Sequence, residues 1–108
     1  RAHDRALALV RPGVSTNDLQ KAAREEFLAA GINDWWRHSL GHGVGLAIHE
    51  EPRFHTADVA LNAGDVVTIE PGAYQSGWGG VRIEDLALVT EDGVRILTAT
   101  PRALRVIG

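Results

Sequence analysis

The sequence predicts an α+β fold, two helices followed by an antiparallel-rich sheet, and three observations predict it. Apolar residues recur at helical spacing only up to Gly31. From Ile32 onward β-branched and aromatic residues rise, and glycines divide them into short apolar runs. Turn-forming clusters then separate those runs, at Asn62-Ala63-Gly64-Asp65, at Pro71-Gly72, across Ser76 to Gly80 and at Glu91-Asp92-Gly93.

The first helix is expected over residues 1 to 10, where Ala6, Leu7 and Val10 share the stretch with further alanines. Arg11-Pro12-Gly13 ends it, because proline and glycine break the pattern. A second helix starts at Ser15, with Asp18 three residues on in the manner of a capping box. Leu19, Ala22, Ala23, Phe27 and Ala30 form its apolar stripe, Lys21, Arg24, Glu25 and Glu26 its wetter side, and Gly31 closes it. Strands are expected near 37 to 41, 44 to 49, 66 to 70, 81 to 90 and 94 to 97. Neither helix concentrates any chemistry.

Composition narrows the function classes. Eleven basic against 14 acidic side chains leave a formal charge of −3, with no basic face for a phosphate backbone. The longest uninterrupted apolar run, Ala6 to Val10, is far below a membrane span. Nucleic acid and bilayer are therefore not expected partners. Cysteine is absent, which excludes disulfides, thiolate zinc sites and a cysteine nucleophile, and fits a reducing cytoplasm. Methionine is absent too, and Arg1 opens a stretch that already reads as helix. The 108 residues are accordingly expected to be one fragment, residues 1 to 108, of a longer protein.

Three segments place ionisable groups where a core would prefer none. Between Arg37 and Glu50 three histidines, His38, His42 and His49, fall within twelve residues, and Gly41, Gly43 and Gly45 alternate among them. Alternate glycines strip one face of an extended chain and admit another backbone or a ligand, while His38, Leu40 and His42 share a face. A helical zinc pair at His38 and His42 does not fit: a zincin needs glutamate directly after its first histidine, where Ser39 stands. In the second segment Glu70 ends the apolar run Val66 to Ile69 immediately before Pro71. In the third, Arg82, Glu84, Leu86 and Leu88 fall on one face by parity, so a carboxylate shares a surface with leucines. An isolated buried carboxylate costs several kcal/mol, about the penalty of losing its hydration, so it must be paired or bound to a cation. Each group alone has an ordinary structural reading as a strand-end charge, a hydrogen-bonded imidazole or a surface ion pair. Together, one imidazole and two carboxylates make an N/O donor set suited to Mn, Co, Fe or Zn.

These motifs, Gly41-His42-Gly43-Val44-Gly45-Leu46 with His49-Glu50-Glu51-Pro52, Thr68-Ile69-Glu70-Pro71-Gly72, and Gly80-Val81-Arg82-Ile83-Glu84-Asp85, resemble the signature of the pita-bread metallopeptidases. That family includes Xaa-Pro dipeptidase (prolidase), aminopeptidase P and methionine aminopeptidase. The order agrees, and spacings of 28 residues from His42 to Glu70 and 14 from Glu70 to Glu84 resemble the prolidase-like branch. The resemblance implies the C-terminal half of a pita-bread catalytic domain. It implies that His42, Glu70 and Glu84 are ligands in a two-metal site, with Glu84 bridging, and that the ions are Mn or Co, with Zn or Fe as alternatives. His49 would line the substrate pocket and assist the scissile peptide, Glu70 would also shuttle the proton, and His38 and Arg82 would contact or organise the substrate.

The reaction so implied is hydrolysis of the first peptide bond of Xaa-Pro dipeptides or short peptides through a metal-activated water, in a protein that forms a homodimer of the family's kind. The family also draws two aspartates from the preceding half of its fold. Upstream of the histidine motif this chain has only Asp4, Asp18 and Asp34, in helix or loop readings. On their own the 108 residues are therefore expected to bind metal weakly and turn over little or nothing. Two other readings stay open: a non-catalytic pita-bread module that binds peptides or proteins, and a metal-free relative of creatinase.

Overall fold

The computed structural model describes residues 1–108. Two helices, α1 (Ala2–Leu9) and α2 (Thr16–Ala29), precede seven strands: β1 (His42–Gly43), β2 (Glu50–Arg53), β3 (Val66–Ile69), β4 (Gly72–Gln75), β5 (Gly79–Arg82), β6 (Asp85–Val89) and β7 (Val94–Ile96). A short 3₁₀ turn spans Asn33–Trp35. All strand pairs are antiparallel; five strands form one sheet in the order β2-β1-β3-β6-β7, and β4 and β5 form a separate hairpin. The α+β architecture agrees with the sequence reading.

Helix α2 begins as expected: the Asp18 N–H donates to Ser15 Oγ at 3.1 Å, satisfying one of the free donors at the helix start. Leu19, Ala22, Ala23 and Phe27 are buried, whereas Ala30 lies beyond the last turn and is exposed. Glu26 accepts from Arg1 at 2.9 Å and from Arg5 at 3.1 Å, tying the helices together at the surface. The core joins Ala6, Leu7, Val10 and Leu19 of the helical segment to Leu40, Phe54, Leu61, Val67, Ile69, Ala87 and Val89, so the helices cover one face of the sheet. Alternation in β3 then sends Thr68, and Glu70 just beyond it, to the opposite face.

Several expected strands differ. Residues 37 to 41 form no strand: the Leu40 N–H donates to Gln20 Oε1, and Leu40 itself enters the helix-covered core, so it does not share a face with His38 and His42. Residues 44 to 49 bend away from the sheet because the Glu50 carboxylate takes the Ala47 N–H at 3.0 Å and fills the space over Gly45; pairing resumes only at β2, which the sequence reading missed. Pro71-Gly72 is no turn, since Gly72 opens β4. The expected run 81 to 90 is two strands. Arg82 pairs with Gly72 of β4 and Asp85 with Ile69 of β3 in one continuous register, with the ladder interrupted at Ile83-Glu84.

Glycine lets β1 in between its neighbours. A Cβ on Gly41 would overlap the Thr68 carbonyl, and one on Gly43 would overlap the Glu51 carbonyl, so β1 is pressed between β3 and β2 with His42 between the two contacts.

Away from that strand, a charged cluster joins α1, β6 and the C-terminal segment. Asp85 is 2 % exposed; its carboxylate lies 3.1 Å from His3 Nε2 and 3.3 Å from Arg102 Nε, and it accepts from the Thr98 hydroxyl. Arg102 also reaches Asp4 at 2.9 Å and His3 Nδ1 at 3.0 Å. Burial depresses the His3 pKa below its ordinary 6.5, outweighing the attraction of Asp85 and Asp4, while Arg102 pushes the same way.

Two outcomes are expected. Gly41→Ala lowers stability by about 1–3 kcal/mol, whereas Gly93→Ala, with open space around it, stays within about 0.5 kcal/mol in urea denaturation. Because the His3 pKa is lowered on folding, the unfolded state binds more protons below pH 6.5; stability is fully present above that value and falls as pH drops through it. Urea midpoints between pH 7.5 and 5.5 read this slope, and His3→Gln flattens it.

Candidate metal centre

The site lies where one long antiparallel pairing is interrupted. The β3–β6 ladder ends at Ile69 opposite Asp85, and the β4–β5 ladder begins at Gly72 opposite Arg82. Glu70-Pro71 and Ile83-Glu84 face each other across this gap, bound by the Ile83 N–H to the Pro71 carbonyl at 3.4 Å. Two carboxylates 14 residues apart in sequence are thus delivered to one corner on the sheet face away from the helices.

His42 enters from β1. Its Nδ1 lies 3.0 Å from the Gly43 carbonyl. A carbonyl only accepts, so Nδ1 carries the proton and a neutral ring presents its lone pair at Nε2. That nitrogen lies 3.3 Å from Glu70 Oε1. Glu70 is 8 % exposed and is held on three sides: Thr68 Oγ1 donates to its Oε1 at 3.1 Å, His42 faces the same oxygen, and Arg82 Nε lies 3.5 Å from Oε2. Thr68 Oγ1 in turn accepts from the His42 N–H at 3.0 Å, so one hydroxyl fixes both groups.

Arg82 joins the two carboxylates, with its second contact to Glu84 at 3.1 Å. Glu84 first and Glu70 second raise the arginine pKa above its ordinary value, so the guanidinium is a fixed cation between them. Beside it, His38 Nδ1 donates to the Ser39 carbonyl at 2.7 Å, which leaves Nε2 to accept from the Tyr74 hydroxyl at 3.0 Å. His49, on the irregular loop before β2, brings its ring to 4.2 Å from that of His42.

The structure therefore brings His42, His49, Glu70, Arg82 and Glu84 to one corner, and Tyr74, on the hairpin that carries Arg82, holds His38. Thr68 and Tyr74 were missed by sequence reasoning. Thr68 shares strand parity with Glu70, a signal that could have found it; Tyr74 depends on the β4–β5 hairpin, which was not foreseen. No three His, Asp or Glu side chains are gathered closely enough to hold a metal ion. The donors nevertheless fit a divalent cation in kind: an imidazole lone pair and a carboxylate oxygen, both electron-pair donors, face each other at 3.3 Å. In number they fall short, and Glu84 meets Glu70 only through Arg82. No helix is long and apolar enough to cross a membrane.

Comparison with known proteins finds relatives over nearly the whole chain. The chain is 49% identical over 104 residues to an Xaa-Pro dipeptidase of Pyrococcus furiosus, a match covering 95% of this chain and 30% of the relative. The solved prolidase of Pyrococcus horikoshii superposes with a TM-score of 0.91 at 43% identity, over 96% of this chain and 30% of the other. An X-Pro aminopeptidase of Thermotoga maritima does so at 0.92 and 39% identity, over 98% of this chain and 30% of the other. The chain thus spans about 30% of the length of the relatives it matches, and its architecture is that of the C-terminal part of the prolidase pita-bread fold. The model of metallopeptidase family M24 matches residues 1–91. This chain belongs to metallopeptidase family M24.

Proposed function

We propose that residues 1 to 108 are the C-terminal portion of the catalytic domain of a metal-dependent exopeptidase. The whole protein, in this reading, hydrolyses the N-terminal peptide bond of Xaa-Pro dipeptides or short peptides. The observation that carries the proposal is the pairing of the His42 Nε2 lone pair with the Glu70 carboxylate, which Arg82 links to Glu84. The names of the relatives, Xaa-Pro dipeptidase, prolidase and X-Pro aminopeptidase, supply the substrate class.

His42, Glu70 and Glu84 would hold two divalent ions, manganese or cobalt, together with ligands from the rest of the protein. When bound, such ions supply Lewis acidity to a peptide carbonyl and make a water acidic enough to attack near neutral pH. Glu70 accepts the proton released by the attacking water and returns it to the departing amine, its position set by Thr68 and Arg82. His49 lies beside His42 and lines the space for the scissile peptide, where its imidazole assists the carbonyl. Arg82 keeps two carboxylates at one corner without mutual repulsion, and His38, held by Tyr74 of the same hairpin, organises the substrate with it. The isolated 108 residues are inactive in this reading, because they lack the remaining ligands. The lack of cysteine supports a cytoplasmic setting, and in this reading the protein works as a homodimer.

The test is hydrolysis of Xaa-Pro dipeptides and longer peptides by the full-length protein after chelation and after return of Mn²⁺ or Co²⁺. Chelation is expected to abolish cleavage and either ion to restore it; cleavage that persists without metal refutes the reading. Glu84→Ala is expected to lower bound metal and kcat/KM by about a hundredfold or more while folding normally. Undiminished hydrolysis by that variant overturns the ligand assignment.

A further inference from the structure

The charged cluster around Asp85 has no part in the chemistry above, yet it grips the residue next to Glu84. Asp85 occupies the last rung of the β3–β6 ladder, opposite Ile69, and the peptide links on either side of that rung lead directly to Glu70 and Glu84. Its carboxylate is buried with one fixed cation, Arg102, because the other basic neighbour, His3, is kept neutral by its own burial. Thr98 donates to the second carboxylate oxygen. Both Thr98 and Arg102 come from the segment after β7, which otherwise has no regular structure.

That segment also walls a cavity of about 650 Å³, with Thr98, Pro101 and Arg102 on one side and Arg82 and Glu84 on the other. Asp85 Oδ2 takes no well-directed hydrogen bond from either His3 Nε2 at 3.1 Å or Arg102 Nε at 3.3 Å. The Arg102 charge and the Thr98 hydroxyl bond to Oδ1 therefore hold the Asp85 carboxylate in place.

We infer that residues 98 to 102 act as a strap whose Arg102–Asp85 contact positions Glu84, and thereby sets how tightly the corner holds a divalent ion. Arg102 is a positioning residue: it touches neither His42, Glu70 nor Glu84 and acts through the backbone of Asp85. The inference rests on the proposed function for its metal and on the geometry alone for its mechanics, so the two are tested separately.

In the full-length protein, Arg102→Leu is compared with Arg102→Lys, and with Arg105→Leu, a change on the same segment at a residue without an ion pair. Amide hydrogen exchange without metal reads the mechanics. Arg102→Leu is expected to speed exchange at residues 83 to 86 about tenfold while leaving α2 unchanged. Calorimetric titration with Mn²⁺ reads the consequence: affinity falls about tenfold, as when a support behind a ligand is lost, with kcat/KM lowered mainly through kcat. Arg102→Lys restores most of both, and Arg105→Leu changes neither. Exchange unchanged in a folded Arg102→Leu overturns the strap; faster exchange with unchanged Mn²⁺ affinity overturns its role in metal binding. Should Arg102→Leu fail to fold, Thr98→Val, which removes only the hydroxyl donor, decides by the same two measurements in the same directions. If the unaltered protein neither binds Mn²⁺ nor cleaves peptides, the proposed function falls, and the exchange result alone confirms or overturns the strap.

Discussion

A carboxylate nearly out of reach of water has to be answered by positive charge or by directed hydrogen bonds, and Glu70 is the point at which this protein meets that requirement. A hydroxyl, an imidazole and a guanidinium surround it, each delivered by a different strand. The alternatives for such a group are to take up a proton or to destabilise the fold by several kcal/mol, about the cost of an uncompensated buried ion. The Thr68 hydroxyl and the Arg82 charge answer Glu70, whereas the His42 lone pair facing the same carboxylate is suited to a cation. Removing Arg82 leaves two carboxylates without their cation.

The backbone arrangement follows from the same need. The two ladders keep one register, Ile69 opposite Asp85 and Gly72 opposite Arg82, so Glu70 and Glu84 fall at opposed positions in the interruption between them. The loss of pairing at Glu70-Pro71 and at Ile83-Glu84 opens a gap between two ladders, and proline enforces it on one side by lacking an N–H for further pairing. Close approach at Gly41 and Gly43 brings His42 to the same gap. Fold and site are here one construction: small residues where chains must touch, and charged residues where ladders stop.

Helical periodicity, the Ser15 cap and the terminating glycine made both helices legible, because those signals are local. The site residues were legible as well, since histidine and glutamate stand out against an apolar run. The β2 strand was not, as Glu50-Glu51-Pro52-Arg53 has almost none of the residues that favour strands. It pairs because β1 offers an open edge. Residues 44 to 49 misled in the other direction: Val44, Leu46 and Ile48 alternate like a strand, yet one carboxylate from Glu50 folds the segment into a loop and leaves Leu46 and Ile48 in water. Asp85 escaped notice because Glu84 carried the motif, whereas the structure buries the aspartate and leaves the glutamate part exposed. Its partners His3 and Arg102 lie far away in sequence, and no local pattern announces them.

The order of strands in the larger sheet has one more consequence. Its two borders are β2 and β7, and they are unequally armed against recruitment of a foreign strand. Along β2 an incoming chain meets two acidic side chains, an arginine and a prolyl nitrogen that cannot donate, the usual deterrents to edge-to-edge aggregation. Along β7 it meets only Arg95 between valine and isoleucine. Of the two margins, the one at Val94–Ile96 is the weaker barrier to uncontrolled self-association.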